Sequence, residues 1–162
     1  MKELSMKDKE LMLKDLSARS MYGVKISQGP YCRNPIKLNS ISIVSIGTFF
    51  NGYFTEGIHF TFNGEGDIWP KACLRSLSSM TEEEKIELYK IAGFYYFSNN
   101  ELLKDEWRQF SNALSKNKLF LPYPIWGDDL QKVFDFLNAH HFDYRGLIEK
   151  GLAIEAPEGI YK

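Results

Sequence analysis

A chain of 162 residues, 44% of them hydrophobic and 25% charged, is long enough for one globular domain with a sizeable core. Its formal net charge of −1 excludes the strongly basic footprint that is typical of dedicated DNA- or RNA-binding proteins. No apolar run reaches the roughly 18 residues that a membrane-spanning helix needs, and residues 1–10 lack the apolar core of a signal peptide. We therefore expect a soluble, cytoplasmic protein without a membrane partner.

The aromatic content is high, with 12 Phe, 9 Tyr and 3 Trp. Each buried ring removes about 150–250 Å² from water, so the sequence predicts a core built largely from rings. The two cysteines, Cys32 and Cys73, have no CxxC or CxxH spacing. They are able to pair, but a domain with this much core does not depend on a disulfide, and we predict reduced cytosolic thiols.

The chain begins with a predicted amphipathic helix over residues 5–19. Ser5 is its expected N-cap, and a partial apolar stripe of helical period follows. The charges that alternate along it, from Lys7 to Asp15, predict a solvated helix face.

Strands are predicted next. Short alternating patterns indicate strands at residues 24–27 and 58–62. Between them, a longer strand is predicted from residue 36, with a break at Asn39-Ser40. Asn51-Gly52 lies between two aromatic pairs and predicts a hairpin turn, because a type I′ turn needs positive φ at both central residues. Turns are predicted at residues 28–35 and 63–66, and an edge strand interrupted by Pro70 at residues 68–74.

Helices dominate the second half. Thr81 and Glu84 form a capping box for a helix that stops near Gly93, and residues 94–97 (FYYF) fit either a buried strand or a continuing helix. Asn100 is placed to cap a further helix. The apolar positions of that helix share one face; they are Leu103, Trp107, Phe110 and Leu114.

After this helix, residues 116–126 form a proline-containing loop that is apolar enough to lie on the core. The next helix starts at residue 127 or 128 and closes at His140-His141, where a cation suits the helix dipole. Asp143 is the expected cap of a short helix over residues 144–150, ended by Gly151, and residues 152–154 return to the sheet.

The strands and helices are segregated along the chain, which favours an α+β fold over an alternating α/β fold. We find no repeat, low-complexity segment or linker that would divide the chain. The sequence therefore predicts a single domain over residues 1–162. In it, an antiparallel sheet from the N-terminal half packs against helices mainly from the C-terminal half.

Two further segments are LRSLSSMTEEE, residues 74–84, and LNAHHFDYRGLIEKGLAIEAPEGIY, residues 137–161. Both resemble segments of an uncharacterised protein family of Bacteroidetes that is associated with prophages and mobile elements. The resemblance implies a bacterial or phage origin. It carries no catalytic residue over to this chain, because the family has no established activity.

A metal site is the sharpest chemical hypothesis that the sequence offers. His140, His141 and Asp143 are ligand types close together in the chain, and His59 on a strand is a further candidate. Adjacent helical residues point about 100° apart, so two neighbouring histidines do not face one ion without local unwinding. The alternative is that one histidine ends the helix and the other packs at the corner, and we predict no metal.

Catalytic signatures give little support for an enzyme. Cys32 or Cys73 beside a histidine would make a nucleophilic pair, but nothing local marks either thiol as activated. The sequence contains no GxSxG, P-loop or GxGxxG motif, and the glycines of residues 63–67 (NGEGD) indicate a turn rather than a phosphate cradle. We expect no catalytic role and no cofactor.

Aromatic residues that stay exposed would mark a partner surface, since Tyr and Trp dominate interface hot spots. The candidates are Tyr95, Tyr96, Tyr123 and Trp126. The alternative is that the loop over residues 122–126 only covers the core.

We therefore expect a non-catalytic accessory or protein-interaction protein of a bacterial or phage system, acting on a protein partner or by self-association. A small metal-dependent hydrolase using His140, His141 or Asp143 is the alternative. Nucleic-acid binding is a weaker one, and requires four basic residues to converge on one face: Arg33, Lys37, Lys71 and Arg75.

Overall fold

The structure is a computed structural model that describes residues 4–27, 36–43, 49–54, 59–63, 71–94, 101–121, 125 and 127–161. Within these ranges the side chains of residues 36–37, 39–43, 49–54, 59–63 and 101–103 are not described. The elements in chain order are α1 (Met6–Arg19), β1 (Lys25–Ser27), β2 (Ile36–Ile43), β3 (Phe49–Phe54), β4 (His59–Asn63), β5 (Lys71–Leu74), α2 (Glu82–Ile91), α3 (Glu101–Ser115), α4 (Asp128–Ala139) and β6 (Ile154–Glu155). The fold is α+β, as predicted.

The chain divides into two compact units. The first combines Met1–Leu74 with Leu147–Lys162 and contains α1 and all the described strands; the second is Arg75–Gly146 and contains α2, α3 and α4. The single domain over residues 1–162, and the packing of the sheet on the C-terminal helices, stay predictions. No helix in the described residues has the length and apolar character needed to cross a membrane.

The described strands form one sheet in the order β4-β3-β2-β1-β5-β6. Neighbouring strands are antiparallel except for β5 and β6, which are parallel. The sheet is therefore mixed, and the prediction of a purely antiparallel sheet is wrong at this edge. The register of β2 against β3 shifts between Leu38 and Ser40, which confirms the predicted break at Asn39-Ser40.

Asn51-Gly52 does not form a hairpin turn; that prediction is wrong. β3 runs straight through both residues, with Gly52 paired to Ile41 of β2 on one side and to Phe60 of β4 on the other. Pairing on both sides holds these residues in extended backbone and outweighs the local preference of the dipeptide for a turn. The predicted turns at 28–35 and 63–66 lie outside the described residues, except for Asn63, which is the last residue of β4.

β5 is an inner strand rather than the predicted edge strand. Ala72 pairs with Ile26 of β1, and on the other side Cys73 pairs with Ile154 of β6. The edge prediction rested on Pro70, which lies outside the described residues. The return of residues 152–154 to the sheet is confirmed at Ile154.

Cys73 is fully buried in β5 and disulfide-bonded. The other cysteine of the chain, Cys32, lies outside the described residues, and no described cysteine is free. The prediction of a reduced thiol is therefore wrong for Cys73. Disulfides are typical of oxidising compartments, so this finding gives no support to the predicted cytoplasmic location.

The α1 helix is capped as predicted, with the Ser5 side chain accepting from the Asp8 N–H in a capping box. Its inner face packs Met12 and Leu16 into the core of the first unit. The prediction of a solvated charged face is wrong at Asp15. That carboxylate and the Arg19 guanidinium are 1% and 0% exposed and form an ion pair of 2.9 Å one helical turn apart.

Tyr161 connects the C-terminal segment to β1 and β5 of the first unit by hydrogen bonds. Its hydroxyl donates to the Cys73 carbonyl at 2.5 Å and accepts from the Lys25 backbone N–H at 3.0 Å. The β1–β5 register places Lys25 opposite Cys73, so the hydroxyl bridges the two backbones where direct pairing ends. Burial raises the pKa of Tyr161 far above its usual range, so the hydroxyl keeps the proton that it donates.

The second unit is a helical unit with a ring-rich core. Thr81 and Glu84 form the predicted capping box, and α2 ends before Gly93 at φ +82°. The face of α3 that carries Trp107, Phe110 and Leu114 packs into this core, as predicted. The core also contains the Tyr89 ring, whose centroid lies 5.3 Å from that of Trp107 and 5.2 Å from that of Phe110. The predicted cap Asn100 and residues 95–97 lie outside the described residues.

Residues 144–150 do not form the predicted helix; they make successive turns. Gly146 has a φ of +66°, which a right-handed helix does not accommodate. Asp143 is accordingly not a helix cap. It is buried, and its backbone N–H donates to the Arg75 carbonyl at 2.8 Å.

The buried pair in α1 yields a stability prediction. Replacing Arg19 alone (Arg19→Met) leaves the Asp15 carboxylate buried without its cation and is expected to lower the free energy of unfolding by about 3–5 kcal/mol. The double variant Asp15→Leu/Arg19→Met removes both charges and is expected to lose clearly less. Urea unfolding followed by circular dichroism measures both values, and equal losses would contradict the account.

Candidate functional site

The residues of the predicted metal site lie in different environments. His140 is the C-cap of α4 and its side chain is 37% exposed, whereas His141 and Asp143 are buried. His59 lies at the start of β4, where side chains are not described. In the described part of the chain, no group of three or more His, Cys, Asp or Glu side chains is placed to hold a metal ion.

The corner after α4 is shaped by a left-handed residue. His141 has a φ of +59°, and the N–H groups of His141 and Phe142 donate to the carbonyls of Asn138 and Leu137. This is the arrangement that glycine most often provides at the end of a helix. The corner is also held from outside the helix, because the Arg75 N–H donates to the His141 carbonyl at 2.9 Å.

The Arg75 side chain makes a two-pronged ion pair with Glu84. Its Nη1 donates to Oε1 at 2.7 Å and its Nη2 to Oε2 at 2.9 Å. The guanidinium also lies over the Phe142 ring, 4.2 Å from its centroid. A planar fork that meets both carboxylate oxygens while stacking on a ring is a use that arginine serves and lysine does not.

The Glu84 carboxylate also accepts a hydrogen bond at the start of α2. Its Oε2 accepts from the Thr81 N–H at 2.8 Å, which completes the capping box. On its other oxygen, the His140 Nδ1 lies 3.4 Å from Oε1. The His140 ring stacks on Phe136 at a centroid distance of 4.3 Å. We name Arg75, Glu84, His140 and Phe142 the Glu84 cluster.

Several opposing influences act on the Glu84 pKa. Burial raises it, but hydrogen bonds from Arg75 and the Thr81 backbone lower it, as do the charges of Arg75 and His140. The net result is a pKa below the ordinary 4.5. The carboxylate is therefore ionised at neutral pH, and it is engaged by the Arg75 guanidinium and by the Thr81 N–H at the start of α2.

The basic residues proposed for nucleic-acid binding are partly engaged inside the protein. Lys71 Nζ donates to the Gly151 carbonyl at 2.5 Å, and Arg75 is held by Glu84. Arg33 and the Lys37 side chain lie outside the described residues. The structure thus brings no set of these four residues together in the part of the chain that it describes.

The predicted interaction residues, Tyr95, Tyr96, Tyr123 and Trp126, all lie outside the described residues and stay predictions. Among the residues that are described, the exposed large hydrophobic side chains are Met6, Met21 and Phe120. Met6 and Met21 lie at opposite ends of the α1 region, so they do not form one patch. Phe120 is the exposed aromatic of this group, and it was not among the candidates.

The sequence indicates individual parts of the Glu84 cluster but not their association. Glu84 was predicted as a cap and His140 as a helix end, but the Arg75–Glu84 pair has no local signal at a separation of nine residues. The buried Asp15–Arg19 pair did have one, because opposite charges one turn apart on a helix interact. Comparisons with protein-family models, curated proteins and solved structures find no match for this chain, so the resemblance to Bacteroidetes proteins also stays a prediction.

The Glu84 cluster yields a prediction of pH dependence. A carboxylate whose pKa is depressed in the folded state stabilises the fold above its unfolded pKa, and this stabilisation is lost as the pH falls through the folded value. Glu84→Gln is expected to lower the free energy of unfolding at pH 7 by about 1–2 kcal/mol. The difference from the wild type should shrink below the ordinary pKa of 4.5.

The matched control is Glu83→Gln, which removes a charge from the exposed neighbouring position of the same helical turn. Urea unfolding from pH 3 to pH 7 measures all three proteins. A loss of stability in Glu84→Gln that stays constant over this range, or that Glu83→Gln reproduces, would contradict the assignment.

The left-handed backbone at His141 yields a second prediction. His141→Gly and His141→Ala delete the same ring, but only alanine carries a Cβ that opposes positive φ, so the glycine variant should be more stable by about 1 kcal/mol. The order should reverse at Ala139, the exposed last residue of α4, where Ala139→Gly is expected to be destabilising by about 0.5 kcal/mol. Thermal unfolding of the three variants decides the matter, and equal stability of the two His141 variants would count against it.

Proposed function

We propose that the chain is a non-catalytic protein-interaction protein of a bacterial or phage system. Its contact with a protein partner centres on Phe120. The single observation that carries the proposal is the presentation of this aromatic ring at the surface by a segment whose neighbouring residues are anchored in a core.

The segment over residues 119–121 has neither helix nor strand, and its side chains alternate between core and surface. Leu119 and Leu121 pack against the core of the second unit, as does Ile125, whereas Phe120 is 42% exposed. A ring held outward by two anchored neighbours has little conformational freedom to lose on binding, which favours affinity. The candidates Tyr123 and Trp126 follow in the sequence and extend the proposed contact to residues 120–126.

The charges before this ring indicate the chemistry of the partner. Lys116 and Lys118 are both exposed, and both follow the helix α3, which ends at Ser115. An aromatic centre beside a cationic rim suits a partner surface with an apolar pocket flanked by Asp or Glu.

The alternatives have less support from the described residues. The hydrolase proposal needs His140, His141 or Asp143 at an open site, but His140 adjoins the Glu84 carboxylate while the other two are buried. Nucleic-acid binding needs Lys71 and Arg75 to be available, and both hold internal acceptors.

Substitution of Phe120 tests the proposal. Phe120→Ser is expected to weaken partner binding at least about tenfold, as is usual for a central aromatic hot spot, while leaving the unfolding temperature nearly unchanged. The control is Met21→Ser, which removes another exposed apolar side chain from the first unit. Cross-linked complexes captured by the three proteins from one bacterial lysate are compared by quantitative mass spectrometry.

A protein that the wild type and Met21→Ser capture equally, and that Phe120→Ser loses, supports the proposal. Identical sets of captured proteins for the wild type and Phe120→Ser would exclude Phe120 as the contact.

A further inference from the structure

The outer edge of β4 is unpaired among the strands that the structure describes. β4 pairs with β3 on one side, and no other described strand lies beside it. The opposite edge of the sheet is β6, which is only two residues long and includes Glu155. β4 has five residues, the ordinary length of a strand, so it offers the longer row of backbone donors and acceptors.

The sequence of β4 lacks the usual protection of an edge. Its residues are HFTFN, with no Lys, Arg, Asp, Glu or Pro. Natural sheet edges are commonly guarded by a charged residue, a proline or a bulge, because an unguarded edge pairs with other strands. The register of β4 with β3 continues without a bulge from His59 to Asn63.

The same five residues are complementary to a second copy of themselves. In an antiparallel pair centred on Thr61, Phe60 of each copy stands opposite Phe62 of the other, and His59 stands opposite Asn63. Aromatic residues opposite each other are among the favourable cross-strand pairs, and no carboxylate or lysine faces its like. We infer that the β4 edge is a self-association surface, on which the β4 strand of a second copy pairs antiparallel to continue the sheet across both molecules.

This arrangement has the two-fold symmetry that most homodimers show, with the same surface on both partners. One pair of five-residue strands buries less surface than a standard interface, so the dimer is expected to be weak and to form at high protein concentration. The inference goes beyond the proposed contact at Phe120, which belongs to the other compact unit.

Position 61 allows a sharp test because it lies on the two-fold axis and faces itself. Thr61→Lys and Thr61→Glu each place two like charges opposite each other, and each is expected to raise the dimer dissociation constant about fivefold. An equimolar mixture of the two variants places opposite charges together and should associate at least as strongly as the wild type. Sedimentation equilibrium of the wild type, each variant and the mixture measures these constants.

Phe120→Ser is the control, since it should leave the dissociation constant unchanged. Restoration of association in the mixture supports pairing at position 61. The inference is overturned by a wild type that stays monomeric at about millimolar concentration, where weak interfaces still associate. It is also overturned by variants that associate as well as the wild type.

Hydrogen exchange of the wild type needs no substitution and remains decisive if the variants fail to fold. Backbone amides of residues 59–63 should exchange more slowly as protein concentration rises, while those of α3, in the other unit, should not change. Exchange at residues 59–63 that is independent of concentration in a sample shown to dimerise would place the contact elsewhere and reject the β4 edge.

Discussion

The second unit depends on one carboxylate. Glu84 accepts both prongs of the Arg75 fork and the Thr81 backbone N–H, and it lies beside the His140 ring. The start of α2, the residue that follows β5 and the end of α4 therefore meet at one ionised group. Its charge is retained because several donors outweigh the effect of burial on its pKa. A carboxylate that accepts from several donors in this way stabilises the unit that it joins.

In the first unit, the C-terminal segment is bound to the sheet by two kinds of contact. The parallel pairing of β6 with β5 is only two residues long, so its hydrogen bonds alone contribute little to the stability of the attachment. Tyr161 adds a hydroxyl that joins the β1 and β5 backbones, and the Lys25 ammonium group donates to the neighbouring Ile160 carbonyl. The segment is thus held by specific polar contacts as well as by apolar packing.

Much of the local structure was readable from the sequence. The caps at Ser5 and Thr81, the break at Asn39-Ser40 and the apolar face of α3 were all predicted and are confirmed. Each depends on residues within a single helix or a single strand. Two of the wrong predictions, the hairpin at Asn51-Gly52 and the edge strand at residues 68–74, concern residues that are paired on both sides by strands distant in sequence.

The sequence by itself determined the starts of α1 and α2 and the α+β class. Only the tertiary structure decided which charges are buried and which meet. Asp15 looks like one of several surface charges along α1, yet it is sealed in the core with Arg19. Arg75 looks like a free cation, yet it is closed onto Glu84. Local preferences act within a few residues, whereas burial and ion pairing depend on what the rest of the chain brings alongside.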